Sequence, residues 1–442
     1  MKHLFPLAAI AAAALTACGG GGSDGDSENT SQRGNLREPP ATVATLSAAQ
    51  IDATTTASGL IGLSGPARCD VKVVTLNYDT VGVKGEGANA SGALLVPTGA
   101  CAGSTAPLLV YAHGSQLSRQ VTMANPQDTT TETSLLIAMY AAQGYAVVAT
   151  DYLGYAKSTY SFHPYLHADS EASAVIDSIR AARKAADQAG AKLSGKIMLA
   201  GYSQGGHSAA ATQRAIERDN AKEFNLVAAA AMAGPYNLSG AVQSPEAALD
   251  YQFFVPFLLS SWQKVYGNIY KKPSDAYKQP YADYIEDLLP SPTLDKTTLV
   301  TSGRLPGANG ETPNQVRDLL IKPAFLADSM TNPDSGVRVD ARRNDMLGWT
   351  PKAPLMLCAG SADPVVPFAL HQAVLKADFD QRGVKNVSFV DIDPQIQALF
   401  GPGGKAPAPG SLEFNTYYGS YHDYYGPPLC FRSAREMFDR VK

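Results

Sequence analysis

Short apolar runs alternate with longer stretches of helical periodicity along much of this chain. Five of these runs are almost continuously apolar and end at a glycine, which is typical of strands buried on both faces: residues 107–114, 145–154, 196–201, 225–234 and 353–360. Between them, residues 170–190 repeat apolar positions every three to four residues and predict an amphipathic helix that stops at Gly190. Buried strands that alternate with helices predict an α/β fold with a mostly parallel central sheet flanked by helices.

One long stretch interrupts this alternation. Residues 237–349 contain no run typical of a buried strand and are crowded with tyrosine and phenylalanine. They predict a mostly helical cap, or lid, inserted before the strand at 353–360, which would serve as extra core, as aromatic walls of a site, or as both. The remaining core is then expected in two parts, residues 41–236 and 350–442.

The N-terminal residues have the character of a targeting segment. Residues 1–17 carry a lysine, then an apolar stretch, then small residues, and so predict a bacterial secretory signal. The sequence LTAC, which ends at Cys18, resembles the lipobox of bacterial lipoproteins, in which this cysteine is lipidated. Ordinary secretion with cleavage near Ala17 is the alternative. Residues 18–40 are polar and glycine-rich and predict a flexible linker.

These features predict an exported protein. A lipid on Cys18 would anchor it to a membrane, and by resemblance to bacterial lipoproteins Gly19 favours the outer membrane. The composition, with 45% hydrophobic and 17% charged residues, is that of a globular protein with a sizeable core. The net charge of -4 and the lack of a long basic run argue against nucleic acid as a partner.

Four cysteines follow Cys18, and an even number in an exported protein predicts disulfides. Four cysteines allow three pairings. Two strand-like runs lie between Cys69 and Cys101, and their outer ends meet if the runs pair antiparallel. We therefore favour the pairs Cys69–Cys101 and Cys358–Cys430, with four buried free thiols as the alternative.

The sequence GYSQGG contains the most specific chemical signal. Gly201-x-Ser203-x-Gly205 follows a predicted strand and precedes a helical pattern. This is the context of a nucleophile elbow, in which a serine occupies a strained turn and the residues two before and two after it must be small. The N-terminus of the following helix points its free N–H groups at the site. We expect Ser203 to be a nucleophile.

A serine nucleophile needs a base, and the base needs a carboxylate that orients it. His422 lies in a loop after the last predicted strand, whereas His371 lies in a segment that reads as a helix and is expected at the surface. His422 is therefore favoured as the base. Asp363 follows the strand at 353–360 and is favoured as the acid. The rival acids are Asp391 and Asp393, both expected at the surface, and Asp423, which is adjacent to the histidine.

Acyl transfer also needs N–H donors for the developing oxyanion. We expect the backbone N–H groups of Gln204, directly after the nucleophile, and of Ser115, in the loop after an early strand. His113 is expected to hold this loop. His163 and His167 are expected to support the pocket, and no spacing typical of a metal site is present.

Together these motifs resemble the α/β-hydrolase superfamily, and within it the secreted bacterial lipases and esterases that have a cap insertion. The resemblance covers residues 65–235 and 350–430, although the HGGG run of the hormone-sensitive-lipase-like group is missing. It implies an α/β-hydrolase fold and hydrolysis of carboxylic esters through an acyl-enzyme, without cofactor or metal. A serine peptidase of the same fold and a non-catalytic ligand-binding lipoprotein are the alternatives. The aromatic insertion favours esters over peptides, and a complete triad argues against the non-catalytic alternative.

Overall fold

The computed structural model describes residues 32–128 and 132–442. Within these residues, nine strands form a single sheet. In chain order the strands are β1 Ala41–Leu46, β2 Asp70–Val81, β3 Gly87–Thr98, β4 Thr105–Ala112, β5 Ala146–Tyr152, β6 Lys192–Tyr202, β7 Asn225–Met232, β8 Leu355–Ala359 and β9 Val387–Asp391.

The sheet has the order β1-β2-β3-β5-β4-β6-β7-β8-β9. The first three pairings in this order are antiparallel, and the pairings from β5 to β9 are all parallel. Strand β5 is buried along its whole length, and so is β8. Parallel strands need crossover helices, which cover both faces of the sheet and explain the continuous apolar runs. The mostly parallel α/β-hydrolase fold predicted from the sequence is confirmed.

Helices pack on both faces of this sheet. Before the insertion they are α1 Ala48–Ala57, α2 Ile61–Ser64, α3 Thr133–Met139, α4 Ala168–Ala189 and α5 Gln204–Asp219. Helices α4 and α5 bury Val175, Ile179 and Ile216 in the core on one face. Helix α3 packs on the opposite face, where Leu136 joins a second core.

The chain between β7 and β8 is entirely helical or irregular in the structure. Its helices are α6 Leu238–Ala241, α7 Tyr251–Tyr266, α8 Pro273–Ala276, α9 Lys296–Thr301, α10 Pro313–Leu320, α11 Pro323–Thr331 and α12 Gly336–Asn344. They enclose a third apolar cluster, which includes Phe253, Phe257 and Trp262. Tyr165 and Leu166 of the sheet-bearing part join this cluster, so the insertion is packed directly onto the core.

Four helices follow β8 and complete the molecule: α13 Gln372–Gln381, α14 Asp393–Phe400, α15 Phe414–Ser420 and α16 Gly426–Phe438. A π-helical turn, Tyr421–Tyr425, connects α15 to α16. Among residues 32–128 and 132–442, none of the helices combines the length and the apolar character that a membrane crossing requires.

The end of the predicted linker differs from the expectation. Arg33 forms an ion pair of 3.0 Å with the buried Asp177, and Leu36 forms a β-bridge with Tyr78. Residues 33–36 therefore lie on the core instead of forming a free tether, because a buried carboxylate requires a charged partner. The predicted signal segment, Cys18 and the linker up to residue 31 lie outside the described residues.

Both disulfides have the pairing that the sequence favours. Cys69 and Cys101 are joined with a Cα–Cα distance of 5.3 Å, next to the paired ends of β2 and β3. Cys358 of β8 and Cys430 of α16 are joined with a Cα–Cα distance of 5.7 Å. The second disulfide therefore ties an inner strand of the sheet to the helix that follows the π-helical turn.

Candidate active site

Ser203 stands at the sharp turn between β6 and α5. Its φ of 59° and ψ of -124° are unfavourable for a residue with a side chain. A Cβ on Gly201 would lie 2.0 Å from the carbonyl oxygen of Gly205, and a Cβ on Gly205 would lie 1.9 Å from that of Ala112. Only glycine fits at these two positions, so the G-x-S-x-G spacing is a direct steric requirement of the turn.

Ser203, His422 and Asp363 form a continuous chain of hydrogen bonds. His422 Nε2 lies 2.8 Å from Ser203 Oγ, and His422 Nδ1 lies 2.6 Å from Asp363 Oδ2. The backbone N–H groups of Val365 and Val366 donate to the other carboxylate oxygen, Asp363 Oδ1, at 2.9 and 3.0 Å. Since Nδ1 donates to the carboxylate, Nε2 is left to accept the serine proton.

The position of His422 is fixed by its neighbours. It is buried in the π-helical turn, where Tyr202 Oη donates to its carbonyl oxygen at 2.9 Å. Burial by itself lowers the pKa of the imidazole, but the charge of Asp363 and the hydrogen bond to it outweigh burial and raise the pKa above its usual value. A raised pKa is what a base needs if it is to take a proton from a hydroxyl.

The three other aspartates considered as the acid make contacts outside the Ser203–His422–Asp363 chain. Asp391 is exposed, as expected, and accepts the backbone N–H of Ser361 at 3.0 Å. The expectation that Asp393 is a surface residue is wrong, because it is buried and accepts a hydrogen bond from Tyr421 Oη at 2.6 Å. That bond supports the turn in which His422 lies. Asp423 is exposed and forms an ion pair with Lys296.

The two predicted oxyanion donors lie beside Ser203. Gln204 is the first residue of α5, so its N–H has no partner within the helix. Ser115 follows Gly114, where an added Cβ would lie 3.5 Å from Ser203 Cβ, so the loop passes close to the serine. His113 Nδ1 lies 2.6 Å from the carbonyl oxygen of Gly114, a contact that holds the loop.

A largely apolar cavity of about 210 Å³ opens at Ser203 and extends into the insertion. His371 lines this cavity and is buried, so the expectation of a surface residue is wrong. It stands at the start of α13, where Nδ1 accepts the N–H of Asn237 at 3.3 Å, and burial lowers its pKa to about 3. The insertion supplies much of the apolar lining, including Leu238, Val242, Phe254, Val255, Leu258 and Ile321.

The sequence did not predict that the buried carboxylate of Glu171 lies directly behind Gln204. Glu171 is buried and accepts a hydrogen bond of 2.7 Å from the Gln204 side chain, and His163 contacts the same amide. The only local sign of Glu171 is its place in the first turn of α4, where acidic residues are common. In the described parts of the chain, no group of three or more His, Cys, Asp or Glu residues is arranged to hold a metal ion.

Comparison with known proteins gives one family and several similar structures. Residues 118–395 match the secretory lipase family. The ligand-bound rice cell wall degrading esterase LipA from Xanthomonas oryzae is 33% identical, with a TM-score of 0.79, and the alignment covers 93% of this chain and 100% of that one. None of the curated proteins matches the sequence significantly.

Two more distant structures share the fold. A putative hydrolase from Legionella pneumophila is 19% identical with a TM-score of 0.72, and the alignment covers 91% of this chain and 97% of that one. Candida antarctica lipase A in its closed state is 16% identical with a TM-score of 0.57, and the alignment covers 92% and 93% of the two chains. At these identities the likeness concerns the fold alone.

Proposed function

This chain belongs to the secretory lipase family and is a carboxylic ester hydrolase, and on that premise we propose that Ser203, His422 and Asp363 are its catalytic triad. The observation that carries the proposal is the unbroken hydrogen-bond chain, with 2.8 Å between serine and histidine and 2.6 Å between histidine and aspartate. Both distances lie within the reach that proton transfer needs.

The reaction proceeds in two halves through an acyl-enzyme. Ser203 Oγ attacks the ester carbonyl carbon while His422 Nε2 takes the hydroxyl proton, and the negative charge develops on the carbonyl oxygen. The N–H groups of Gln204 and Ser115 stabilise that oxygen. His422 then gives its proton to the leaving alcohol. In the second half, water attacks the acyl group with His422 again as the base, and the acid is released.

The insertion acts as a cap that receives the apolar part of the substrate. The cavity joins Ser203 to apolar side chains of α7, α11 and α12 and to Ile321, which follows α10, and its lining is mostly aliphatic and aromatic. Each methylene group buried there contributes about 0.8 kcal/mol. Since that energy is about a fourfold factor in kcat/KM, the cap selects esters with an apolar chain.

Export and anchoring complete the proposal. Residues 1–17 direct the chain out of the cytoplasm, and lipidation of Cys18 ties the enzyme to a membrane, in line with the lipobox-like sequence LTAC. The family, which is one of secretory lipases, supports export. Two disulfides also fit an oxidising compartment.

The test is hydrolysis of p-nitrophenyl esters with acyl chains of increasing length. We expect kcat/KM to rise about fourfold per methylene until the cavity is full. Ser203→Ala and His422→Ala should each lower kcat by at least about a thousandfold. Asp391→Asn, which alters the rival acid, should retain activity.

Two results would contradict the proposal. Activity that survives in Ser203→Ala would show that another residue is the nucleophile. A kcat/KM that does not change with chain length would show that the cavity does not hold the acyl chain. A peptide p-nitroanilide measured beside the esters tests the peptidase alternative.

A further inference from the structure

A buried carboxylate lies directly behind the first turn of the nucleophile helix. Glu171 is only 1% exposed and belongs to the first turn of α4. It faces Gln204, His207 and Ser208, which lie on one face of α5 because they are spaced at i, i+3 and i+4. The proposed triad and the oxyanion mechanism give this carboxylate no role.

Every acceptor position of Glu171 is occupied. Oε1 accepts from Gln204 Nε2 at 2.7 Å and from the backbone N–H of Leu166 at 2.9 Å. Oε2 accepts from Ser208 Oγ at 2.6 Å and lies 3.2 Å from His207 Nδ1. A carboxylate has about four acceptor sites, so the group is fully satisfied although it is shielded from water.

The surroundings keep Glu171 ionised. Burial by itself raises the pKa of the carboxyl, but the hydrogen bond and charge of His207, helped by the hydrogen bond from Ser208, lower it below its usual value. The other nitrogen of His207, Nε2, lies 2.7 Å from the carbonyl oxygen of Asn344. Because both neighbours of the ring are acceptors, both contacts are hydrogen bonds only when each nitrogen carries a hydrogen.

The Gln204 side chain is held by both of its amide hydrogens. His163 Nδ1 lies 2.9 Å from the carbonyl oxygen of Leu153, so Nδ1 carries the hydrogen and Nε2 is an acceptor. Burial lowers the pKa of His163 to about 4, so the ring is neutral. Gln204 Nε2 donates to this acceptor at 2.6 Å and to Glu171 at 2.7 Å. Gln204 Oε1 is buried without a hydrogen-bond partner among the described residues, so the NH₂ group alone fixes the amide.

We propose that Glu171 is a positioning residue for the oxyanion hole. By clamping the side chain of Gln204, it fixes the direction of the backbone N–H of the same residue, the first residue of a helix that would otherwise fray. The inference rests on the proposed function, because it needs Ser203 as nucleophile and Gln204 as donor. An oxyanion donor acts mainly in the transition state, so its misplacement lowers kcat and leaves substrate binding nearly unchanged.

If Glu171 acted only through its charge, its removal would change kcat in the opposite direction. A negative charge close to a developing oxyanion disfavours it, so if only the charge of Glu171 mattered, its removal would raise kcat. If positioning matters, the same removal lowers kcat. The neutral variant Glu171→Met has nearly the same length and removes the charge together with both acceptor oxygens, so the direction of the change in kcat separates the two effects.

The experiment measures kcat, KM and the affinity for a boronic acid transition-state analogue in the full-length enzyme. We expect Glu171→Met to lower kcat by about tenfold to a hundredfold, with KM within about twofold, since the loss of one oxyanion donor costs about a hundredfold or more. The affinity for the boronic acid should fall by the same factor. Gln204→Met, which removes the clamped amide, should give a similar loss.

The double variant Glu171→Met/Gln204→Met gives the sharpest test. If the two residues act as one unit, its kcat should be no lower than that of the less active single variant, because coupled residues are not additive. Multiplicative losses would overturn the proposal, because Glu171 would then act independently of Gln204.

Ser208→Ala is the matched control. It removes the hydrogen bond on Glu171 Oε2 and the 3.1 Å contact of Ser208 Oγ with the carbonyl oxygen of Gln204, but leaves both hydrogen bonds of the Gln204 side chain in place. We expect a lower melting temperature with kcat within about threefold of the parent. A kcat loss equal to that of Glu171→Met would show that the cluster only stabilises the fold, and an unchanged or raised kcat in Glu171→Met would also overturn the proposal. Activity that survives in Ser203→Ala would instead refute the proposed nucleophile.

Discussion

Opposing effects act on the imidazole of His422. Burial disfavours the charged ring, whereas the charge of Asp363, the hydrogen bond to it and the more distant charges of Asp423 and Asp250 favour it. The net result is a pKa raised above the ordinary value for histidine. In the proposed mechanism the ring accepts a proton from serine only when it is neutral, so we expect the fraction of active enzyme to fall as the pH drops through this raised pKa.

We therefore expect the acid limb of the kcat/KM profile to have its midpoint above the ordinary histidine value of about 6.5. Asp363→Asn should shift this midpoint to lower pH, because it removes the charge and the hydrogen bond that favour the protonated ring. The same variant should lower kcat by about ten-thousandfold, since the ring loses its orienting acceptor. The measurement is kcat/KM from pH 5 to 9, and a midpoint below 6.5 in the parent enzyme would contradict this account.

Individual site residues differ in how far the sequence reveals them. Ser203 stands between glycines in a turn whose steric demands are local, so a short motif is enough to predict it. Glu171 is different, because its partners Gln204, His207 and Ser208 lie 33, 36 and 37 residues away. The prediction for His371 is wrong because a helical pattern does not show which neighbours cover the residue directly before a helix.

At the scale of elements, the insertion contacts the turns that carry Asp363 and His422. The backbone N–H of Leu249, just before α7, donates to the carbonyl oxygen of Pro364 at 2.9 Å, next to Asp363. Lys296 of α9 lies 2.6 Å from Asp250 and 3.4 Å from Asp423, the neighbour of His422. The insertion therefore contacts both the loop that carries Asp363 and the turn that carries His422.

Replacement of Lys296 tests this contact. In Lys296→Met, Asp250 and Asp423 lose their cation, and their charges favour the protonated form of His422 more strongly. We expect the midpoint of the acid limb to rise by a few tenths of a pH unit at low salt, which is the size of an exposed ion pair. The shift should shrink in 1 M NaCl because salt screens such charges.

Lys264→Met is the control for that shift. Lys264 belongs to the same insertion and lies 2.8 Å from Asp287, but neither residue is among the groups that influence His422. Its acid limb should match that of the parent. Equal shifts in the two variants would mean that the cap changes His422 through its overall stability and not through the ion pair.

The elements themselves follow closely from the pattern of the sequence. Strands β4, β5 and β8 and the later parts of β6 and β7 are continuous apolar runs because both of their faces are covered, and the insertion is helical where such runs are missing. This pattern does not predict the contacts between elements. Lys296 meets Asp423 across 127 residues of chain, and Arg33 meets Asp177 across 144. Such pairs depend on how the elements pack and not on local periodicity.

At the scale of the whole molecule, the two disulfides connect different parts of the fold. Cys69–Cys101 closes a hairpin at the antiparallel side of the sheet, far along the strand order from the triad. Cys358–Cys430 ties β8, which leads to Asp363, to α16, which follows the turn of His422. The second bond should therefore affect catalysis, and the first only stability.

We expect Cys69→Ala/Cys101→Ala and Cys358→Ala/Cys430→Ala each to lower the free energy of unfolding by about 4 kcal/mol, from loop-closure entropy. Only the second pair should also lower kcat at a temperature where all variants are folded. The measurements are denaturant unfolding and ester hydrolysis side by side. An equal kcat in both double variants would show that the sheet alone positions Asp363 and His422.

The order of the triad along the chain also has a consequence for biosynthesis. His422 follows Ser203 by 219 residues and Asp363 by 59. At about 5–20 residues per second, a ribosome needs roughly ten to forty seconds to add the base after the nucleophile has been made. If these residues are the proposed triad, the nascent chain has during that time a serine but no base to activate it. The enzyme would then gain its activity only when its C-terminal region has been translated and folded, so an unfinished chain would not hydrolyse esters.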